Sequence, residues 1–461
     1  MLKNYFAYDR SLNSVTTGGE PLYLWKLAIP IMLEQLLRNM LSTVNTLIVS
    51  RVSDTAASAI GTATQLTNIV EIIYMAISMG AFVALTQNLG AGNREKAEKI
   101  TSVSIVMMLM LGVILGIALA FTSHLLMQAM NLTGEVLEEG TRYFRLVAIF
   151  GVFQGMVTLF SYICRSYGIT HFNLYNAILM NVLNAVFSYL VVFEVIKTPF
   201  SMIEGVAYSK ILSILIALLI YFIMVAKARI SLGFKNLLPV DFDIVKDIFR
   251  VGIPSGITSI AWCLSQAVCS SMVATYGVTA LNAKTYADSL LGYPQAFAIG
   301  VGQAGCIISS RLVGAGRFDD AYNVVVQNHK IGLLGEFIGN TLIAVFGRAI
   351  VGMFTTDPAV IDLANTILWI DIAVGIGKSF NLSLEDALRG SGDATAQMYI
   401  ALVSCFIVTI IACYLLGTVF GLGLIGCWIA YGLDEWFRGI SYSLRWTSRK
   451  WEGKRLIHDE L

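Results

Sequence analysis

Apolar runs of about 20 residues recur along the whole chain, and they limit its possible folds more than any other feature. A helix of that length, rising 1.5 Å per residue, crosses a hydrocarbon core roughly 30 Å thick. Strands of a membrane barrel would instead alternate apolar and polar residues. Of the 461 residues, 13% are charged, against roughly 25% in soluble domains. The sequence therefore predicts an all-α integral membrane protein.

Twelve transmembrane spans are predicted from these runs. Basic residues concentrate in alternate connections, which by the positive-inside rule places both termini in the cytoplasm. No signal peptide is expected before the first span, so we expect a multi-pass protein of the inner membrane. The predicted spans cover about residues 22–50, 56–88, 100–122, 140–164, 172–195, 204–226, 246–276, 280–312, 324–347, 361–387, 396–420 and 424–446.

An internal repeat relates three pairs of motifs by one constant separation along the chain, which we call the repeat offset. The pairs are Pro30 and Pro254, segments 90–92 and 314–316, and segments 165–168 and 389–392. Because the repeat offset spans an even number of helices, we expect two parallel six-helix bundles related by a pseudo-two-fold axis along the membrane normal. The predicted divisions are tail 1–20, first bundle 21–228, linker 229–245, second bundle 246–446 and tail 447–461.

These motifs resemble those of the multidrug and toxic compound extrusion (MATE) family. The resemblance runs from about residue 20 to 440 and includes "IPIMLEQLLRNMLSTVNTLIVSRV", "LGAGNREKA", "RSYG", "VGIPSGITS" and "LRGSGD" in the family's order. It implies a secondary transporter that exports small organic molecules by alternating access, with protons or sodium as coupling ion and no other cofactor. One alternative is a flippase for lipid-linked saccharides, and another is an intramembrane enzyme.

Ionisable and polar residues inside the predicted spans are the candidate site residues. A charge at membrane depth costs at least about 2.5 kcal/mol, so it usually faces a cavity or a partner. Lys378 lies near the middle of its span, on one stripe with Asp371 and Glu385. The candidates for the substrate and ion pathway are Glu34, Arg38, Asn45, Gln65, Asn68, Glu71, Gln154, Asn184, Ser188, Trp262, Gln266, Asp288, Gln295, Asp371 and Lys378.

Residue-by-residue comparison with the family pattern indicates unusual coupling chemistry. The resemblance implies carboxylates at four positions that are here Asn45, Ser188, Trp262 and Lys378. A protonated Lys378 would repel sodium, so we expect it to pair with Asp371 or Glu385 or to meet an anionic substrate. Together with Arg38 it would give a cavity of net positive charge, which favours anions.

Other classes of function find little support in the residues. A net charge of +1 gives no reason to expect nucleic acid as a partner. The seven cysteines lack metal-type spacing and predict neither a disulfide nor a metal site. All four histidines lie near predicted span ends, and no Gly-Lys-Ser/Thr phosphate loop occurs, which disfavours an enzyme or an ATP-driven pump. The expected partners are a small-molecule substrate and the lipid bilayer, and the expected state is a monomer.

Overall fold

A computed structural model of the chain describes residues 14–18, 20–50, 54–193, 195, 199–233 and 241–457. The side chains of residues 14, 20, 38–50 and 54–57 are outside this description. The predicted roles of Arg38 and Asn45 therefore fall outside the described side chains. No structural statement is made for them.

Helices account for nearly all of the described residues. A short antiparallel hairpin, β1 Ser14–Thr17 and β2 Glu20–Tyr23, comes first. The helices are α1 Leu24–Ser50, α2 Asp54–Gly90, α3 Arg94–Ala129, α4 Gly134–Ile149, α5 Gly151–Ser166, α6 Thr170–Val192, α7 Met202–Lys227, α8 Phe242–Thr275, α9 Val278–Gly314, α10 Phe318–Val351, α11 Pro358–Gly390, α12 Ala394–Val419 and α13 Gly423–Thr447. Within the described ranges, nine helices are long and apolar enough to cross a membrane, or ten if the bent pair α4–α5 forms one span.

Helix boundaries recur at the repeat offset that the sequence motifs define. Helices α2 and α9 begin at Asp54 and Val278 and end at Gly90 and Gly314, so both their starts and their ends are separated by that offset. The turns that follow contain Gly92 at φ 81° and Gly316 at φ 73°. Left-handed φ values favour glycine, which explains why both turns keep it. The repeat seen in three short motifs therefore extends to the helix ends.

The chain divides into two compact units whose limits cut across the sequence repeat. Unit 1 contains the described residues up to Leu36, then Thr86–Asn93, then those from Ile253 onward; unit 2 contains Leu37–Leu85 and Arg94–Gly252. Each unit thus contains the start of a helix whose remainder belongs to the other. The predicted domain limits follow the sequence repeat and stay a prediction about the bundles.

Glycines allow the starts of α1 and α8 to pack closely against their neighbouring helices. In unit 1, a Cβ on Gly300 would come within 2.1 Å of Met32 Cγ and 3.1 Å of the Ala28 carbonyl oxygen. In unit 2, a Cβ on Gly252 would come within 2.6 Å of the Ala76 carbonyl oxygen. Residues 28 and 252, like 76 and 300, are related by the repeat offset. The same close approach is therefore built twice, once in each unit.

A second repeated contact joins the ends of α2 and α9 inside unit 1. A Cβ on Gly90 would lie 2.0 Å from the Arg311 carbonyl oxygen, and one on Gly314 would lie 2.0 Å from the Gln87 carbonyl oxygen. Residues 87 and 311, like 90 and 314, are counterparts in the repeat. We call this contact of residues 87–90 with 311–314 the glycine crossing.

The C-terminal tail packs against the glycine crossing. Trp451 is fully buried and stacks on Trp446 with ring centroids 4.1 Å apart. Further on, the Leu456 backbone N–H donates to Gln87 Oε1 at 2.7 Å, while Gln87 Nε2 donates to the Gly390 carbonyl at 2.8 Å. One glutamine side chain thus connects the ends of α2 and α11 to the tail.

Candidate functional site

Two acidic side chains of unit 1 are buried between α10, α11 and α13. Glu336 and Asp371 are each 1% exposed. Asp371 accepts hydrogen bonds from Asn340 Nδ2 at 3.2 Å and from Trp428 Nε1 at 3.0 Å, one on each carboxylate oxygen. Glu336 differs, because its Oε2 is buried without a hydrogen-bond partner. One acid is therefore held by donors, and the other is left with unsatisfied hydrogen-bonding capacity.

Lys378 lies close to these acids without touching one. It is half-buried, and no carboxylate of the described residues comes within 4.0 Å of its ammonium group. It interacts electrostatically with Asp371, Glu435 and Glu336. The expected pairing with Glu385 does not form, because Glu385 makes an ion pair with Arg389 one turn further along α11. These three acids and Asp288 therefore all interact with one lysine.

Helix α13 contributes charges that the sequence analysis did not select. Arg438 forms ion pairs with Asp434 and, at 3.4 Å, with Glu435. Asn381 of α11 donates to Glu435 Oε2 at 2.7 Å. Ser404, in a π-helical stretch of α12, donates to the Asp434 carboxylate. A signal was available, because an acid four residues before an arginine inside a predicted span is a recognisable ion pair.

The charges in this part of unit 1 do not balance. The group contains four carboxyl groups and two cations, and we call it the carboxylate cluster: Glu336, Asp371, Asp434, Glu435, Lys378 and Arg438. With every member ionised, it carries a net charge of −2. The expected positive cavity, which combined Lys378 with Arg38, stays a prediction. Around Lys378 itself the described acids outnumber the cations, because acids distant in sequence converge on the lysine from α10 and α13.

A pocket in unit 2 is built from α2, α3, α4, α5 and α7. Its cavity is small, about 30 Å³, and the space between its walls reaches about 480 Å³ only when the open mouth and the adjoining solvent are included. Tyr74, Phe144 and Phe150 form aromatic walls, and the 49° bend between α4 and α5 lies at its edge. Its charged groups are Glu71 and Lys210. We call it the N-terminal pocket; of the sequence candidates, it brings together Glu71 and Gln154.

The remaining candidates are dispersed over the two units. Ser188 is buried, and its hydroxyl donates to Asn184 Oδ1 at 3.4 Å. Asp288 is exposed and accepts from Lys284 at 2.6 Å, so this pair neutralises itself. Glu34 is 5% exposed, which agrees with an inward orientation. Gln65, Asn68 and Trp262 are exposed, whereas Gln266 and Gln295 are half-buried.

His329 departs from its expected place near a span end. The helix that carries it begins at Phe318, so the imidazole lies well inside α10. It is 4% exposed, and its ring centroid is 3.9 Å from that of Phe380 in α11. The difference arises because α10 starts about one and a half turns before the apolar run that the sequence reveals.

Arg438→Met is expected to destabilise the protein by about 3–5 kcal/mol, because it leaves the buried Asp434 and Glu435 without their cation. Arg348→Met is the matched control. Arg348 pairs with Asp362, but both side chains are largely exposed, and such pairs contribute about 0–1 kcal/mol. Thermal unfolding in detergent, followed by loss of the monodisperse peak, measures both. Equal melting temperatures for the two variants would contradict a structural role for the Arg438 pairs.

Comparison with known families identifies both halves of the chain. The MatE family model matches residues 30–190 and again residues 254–415. The two matches begin at Pro30 and Pro254, the same pair of prolines that the repeat offset relates. Together they cover well over half of the chain.

Individual relatives match along almost the full length. The uncharacterized transporter YisQ of Bacillus subtilis is 28% identical over 93% of this chain and 94% of its own. A protein described as multidrug resistance protein NorM, from Thermotoga maritima, is 26% identical over 95% of this chain and 94% of its own. Among solved structures, a MOP superfamily transporter from Pyrococcus furiosus superposes with a TM-score of 0.84 at 19% identity, covering 92% of this chain and 95% of that one. The shared fold has twelve helices in two bundles.

Proposed function

Because the chain belongs to the MatE family of membrane transporters, we propose that it exports small organic molecules by alternating access and that protons drive this export through the carboxylate cluster. Names of relatives such as multidrug resistance protein NorM and multidrug export protein MepA support export of organic molecules. The saccharide flippase finds no such support among these relatives.

The charge imbalance of the carboxylate cluster carries this proposal. Buried charges are tolerated in a membrane protein when they are paired or neutralised. Two further positive charges are needed to neutralise the cluster, so two protons bind in one conformation and leave in another. Glu336 is the member best placed to accept such a cation, because its Oε2 has no donor while Asp371 has two.

Protons fit this cluster better than sodium. Sodium would need several oxygen ligands close to the ammonium group of Lys378, and the repulsion between them is strong where water is scarce. A proton instead binds to one carboxyl oxygen and requires no further ligands. The lysine also interacts with four acids at once, so protonation of one acid changes its interaction with the others.

The N-terminal pocket is the proposed site for the organic substrate. Its aromatic walls provide apolar contact area, and Glu71 and Lys210 provide one charge of each sign. This combination favours amphipathic molecules that carry both a cationic and an anionic group. It differs from the expectation of an anionic substrate, which rested on Arg38 and Lys378 together.

Glu336→Gln tests the proton coupling. In proteoliposomes loaded with a pH-sensitive dye, the parent should accumulate zwitterionic rhodamine B under an imposed proton gradient and not under a sodium gradient. We expect Glu336→Gln to lower proton-driven uptake at least tenfold, since glutamine keeps the shape but cannot exchange a proton. Glu95→Gln is the control, because the Glu95 side chain is 83% exposed. Proton-driven uptake by Glu336→Gln at the parent rate would contradict the proposal.

A further inference from the structure

Polar atoms without partners gather between α10 and α11. His329, Glu336, Ser379 and Ser383 are each no more than 4% exposed, yet each presents buried polar atoms that have no hydrogen-bond partner of normal geometry. Native proteins leave few such atoms, and each requires an explanation. Buried polar atoms that lie near one another and lack protein partners typically form hydrogen bonds with water.

These side chains share one face on each helix. In α10, residues 329, 332, 336 and 340 recur at intervals of three or four, and in α11 residues 371, 375, 379 and 383 recur every four. Residues at these intervals line one side of a helix. The hydrogen bond from Asn340 to Asp371 fixes the antiparallel register of the two faces.

The contacts between α10 and α11 agree with this antiparallel register at each successive turn. A Cβ on Gly375 would lie 3.4 Å from Glu336 Cγ, which places the acid opposite this glycine. A Cβ on Gly332 would lie 3.4 Å from Ser379 Oγ and 3.6 Å from Ser383 Oγ, so this glycine lies between the two hydroxyls. His329 follows one turn further towards the start of α10. The polar face is thus continuous from Glu336 to the imidazole.

The polar face ends abruptly in the other direction. Beyond Asn340 and Asp371 come Ala344 and Leu368, both buried in an apolar core. Along the described faces of α10 and α11, polar side chains therefore continue only towards the start of α10, the end that the positive-inside rule assigns to the cytoplasm.

We propose that His329, Gly332, Ser379 and Ser383 form a hydrated proton path from the predicted cytoplasmic end of unit 1 to Glu336. The proposal rests on the proton-coupled export proposed above and adds the route by which the proton leaves or reaches the acid. Serine hydroxyls and imidazole both donate and accept hydrogen bonds, so with intervening water they can transfer a proton without binding it permanently. Gly332 leaves the space that this water needs.

Other charged groups face the path as well. Lys378 and Asp371 lie on α11, Glu435 lies on α13, and Lys330 directly follows His329 on α10. Glu336 interacts with Lys378, Glu435 and Asp371. A proton that arrives at Glu336 therefore changes the interaction of Glu336 with three other members of the carboxylate cluster. The two serines and Gly332 carry no charge and affect only the route.

The double variant Ser379→Ala with Ser383→Ala tests the path. Removing buried hydroxyls that lack partners should leave thermal stability unchanged or raise it. We expect proton-driven rhodamine B uptake to fall at least tenfold, while equilibrium binding of rhodamine B in detergent stays at the parent value. Gly332→Ala gives a second probe, because its methyl group would fill the space between the hydroxyls at ordinary contact distances.

The matched control is Ser209→Ala with Ser213→Ala in α7. These serines are also buried and four residues apart, but their hydroxyls donate to Gly205 and Ser209 carbonyls at 2.8 Å. The control should keep parent proton flux. If the Ser379/Ser383 variant and Gly332→Ala both transport at the parent rate while Glu336→Gln fails, the path is wrong and the proposed function stands. If Glu336→Gln also transports at the parent rate, both are overturned.

Discussion

Gly314→Ala should lower the melting temperature of the protein sharply and abolish transport. The added Cβ would lie 2.0 Å from the Gln87 carbonyl oxygen, a backbone atom that cannot rotate away. Overpacking costs about 1–3 kcal/mol where neighbours can adjust, so we expect about 3 kcal/mol or more here. The measurement is thermal unfolding in detergent together with rhodamine B transport in proteoliposomes.

Two further glycine variants make this result specific to the glycine crossing. Gly90→Ala, the repeat counterpart, should behave like Gly314→Ala, because its Cβ would lie 2.0 Å from the Arg311 carbonyl oxygen. Gly61→Ala in α2 should be neutral or stabilising by up to about 1 kcal/mol, since no atom lies within 4 Å and alanine favours a helix. Parent-like melting of Gly314→Ala would show that α2 and α9 do not approach so closely.

Lys378→Gln is expected to abolish proton-driven transport, with a loss of about a hundredfold or more. The change leaves Glu336, Asp371 and Glu435 without the ammonium group that interacts with all three. Without the lysine, the ionised carboxylate cluster would carry a net charge of −3, so its acids would retain protons that each transport cycle must release. A hundredfold loss corresponds to about 2.7 kcal/mol in the barrier. Uptake of rhodamine B under an imposed proton gradient measures the effect.

Lys378→Arg separates charge from shape. Arginine keeps the positive charge in the carboxylate cluster, so we expect transport within about tenfold of the parent. The cost would come from the larger planar head group, which hydrogen-bonds differently from an ammonium. If glutamine and arginine at this position both support parent rates under every gradient, Lys378 takes no part in coupling.

Local sequence information was sufficient to predict the helices and their repetition. Whether a helix spans a membrane depends on its own composition, so the apolar runs predicted the helices, whose ends lie up to seven residues beyond the predicted span limits. The repeat could be predicted because Pro30 and Pro254 and the glycine turns occupy matching positions. The structure adds that the repeat governs close contacts too, as at Gly90 and Gly314.

The charge around Lys378 could not be predicted in the same way. The sequence of its own helix suggested Asp371 and Glu385 as partners, but Glu385 forms an ion pair with Arg389. This pair was predictable, because the two residues are four positions apart on one helix. Glu336 has no oppositely charged residue within four positions of it in the sequence, so spacing gives it no partner. Its burial depends on the rotation of α10 against α11, which is set by packing and is not visible in the sequence of either helix.

The start of α1 is synthesised long before the residues that it packs against. Residues 24–36 emerge first, yet their partner around Gly300 in α9 is translated only after well over half of the chain has been made. At about 5–20 residues per second, this segment waits roughly 15–55 s before its native neighbour exists. For the start of α8 the order is reversed, because its partner Ala76 is already in the membrane when Gly252 is synthesised. Insertion of the first half must therefore yield a state that keeps α1 incompletely packed, and assembly finishes only after the second half has entered the bilayer.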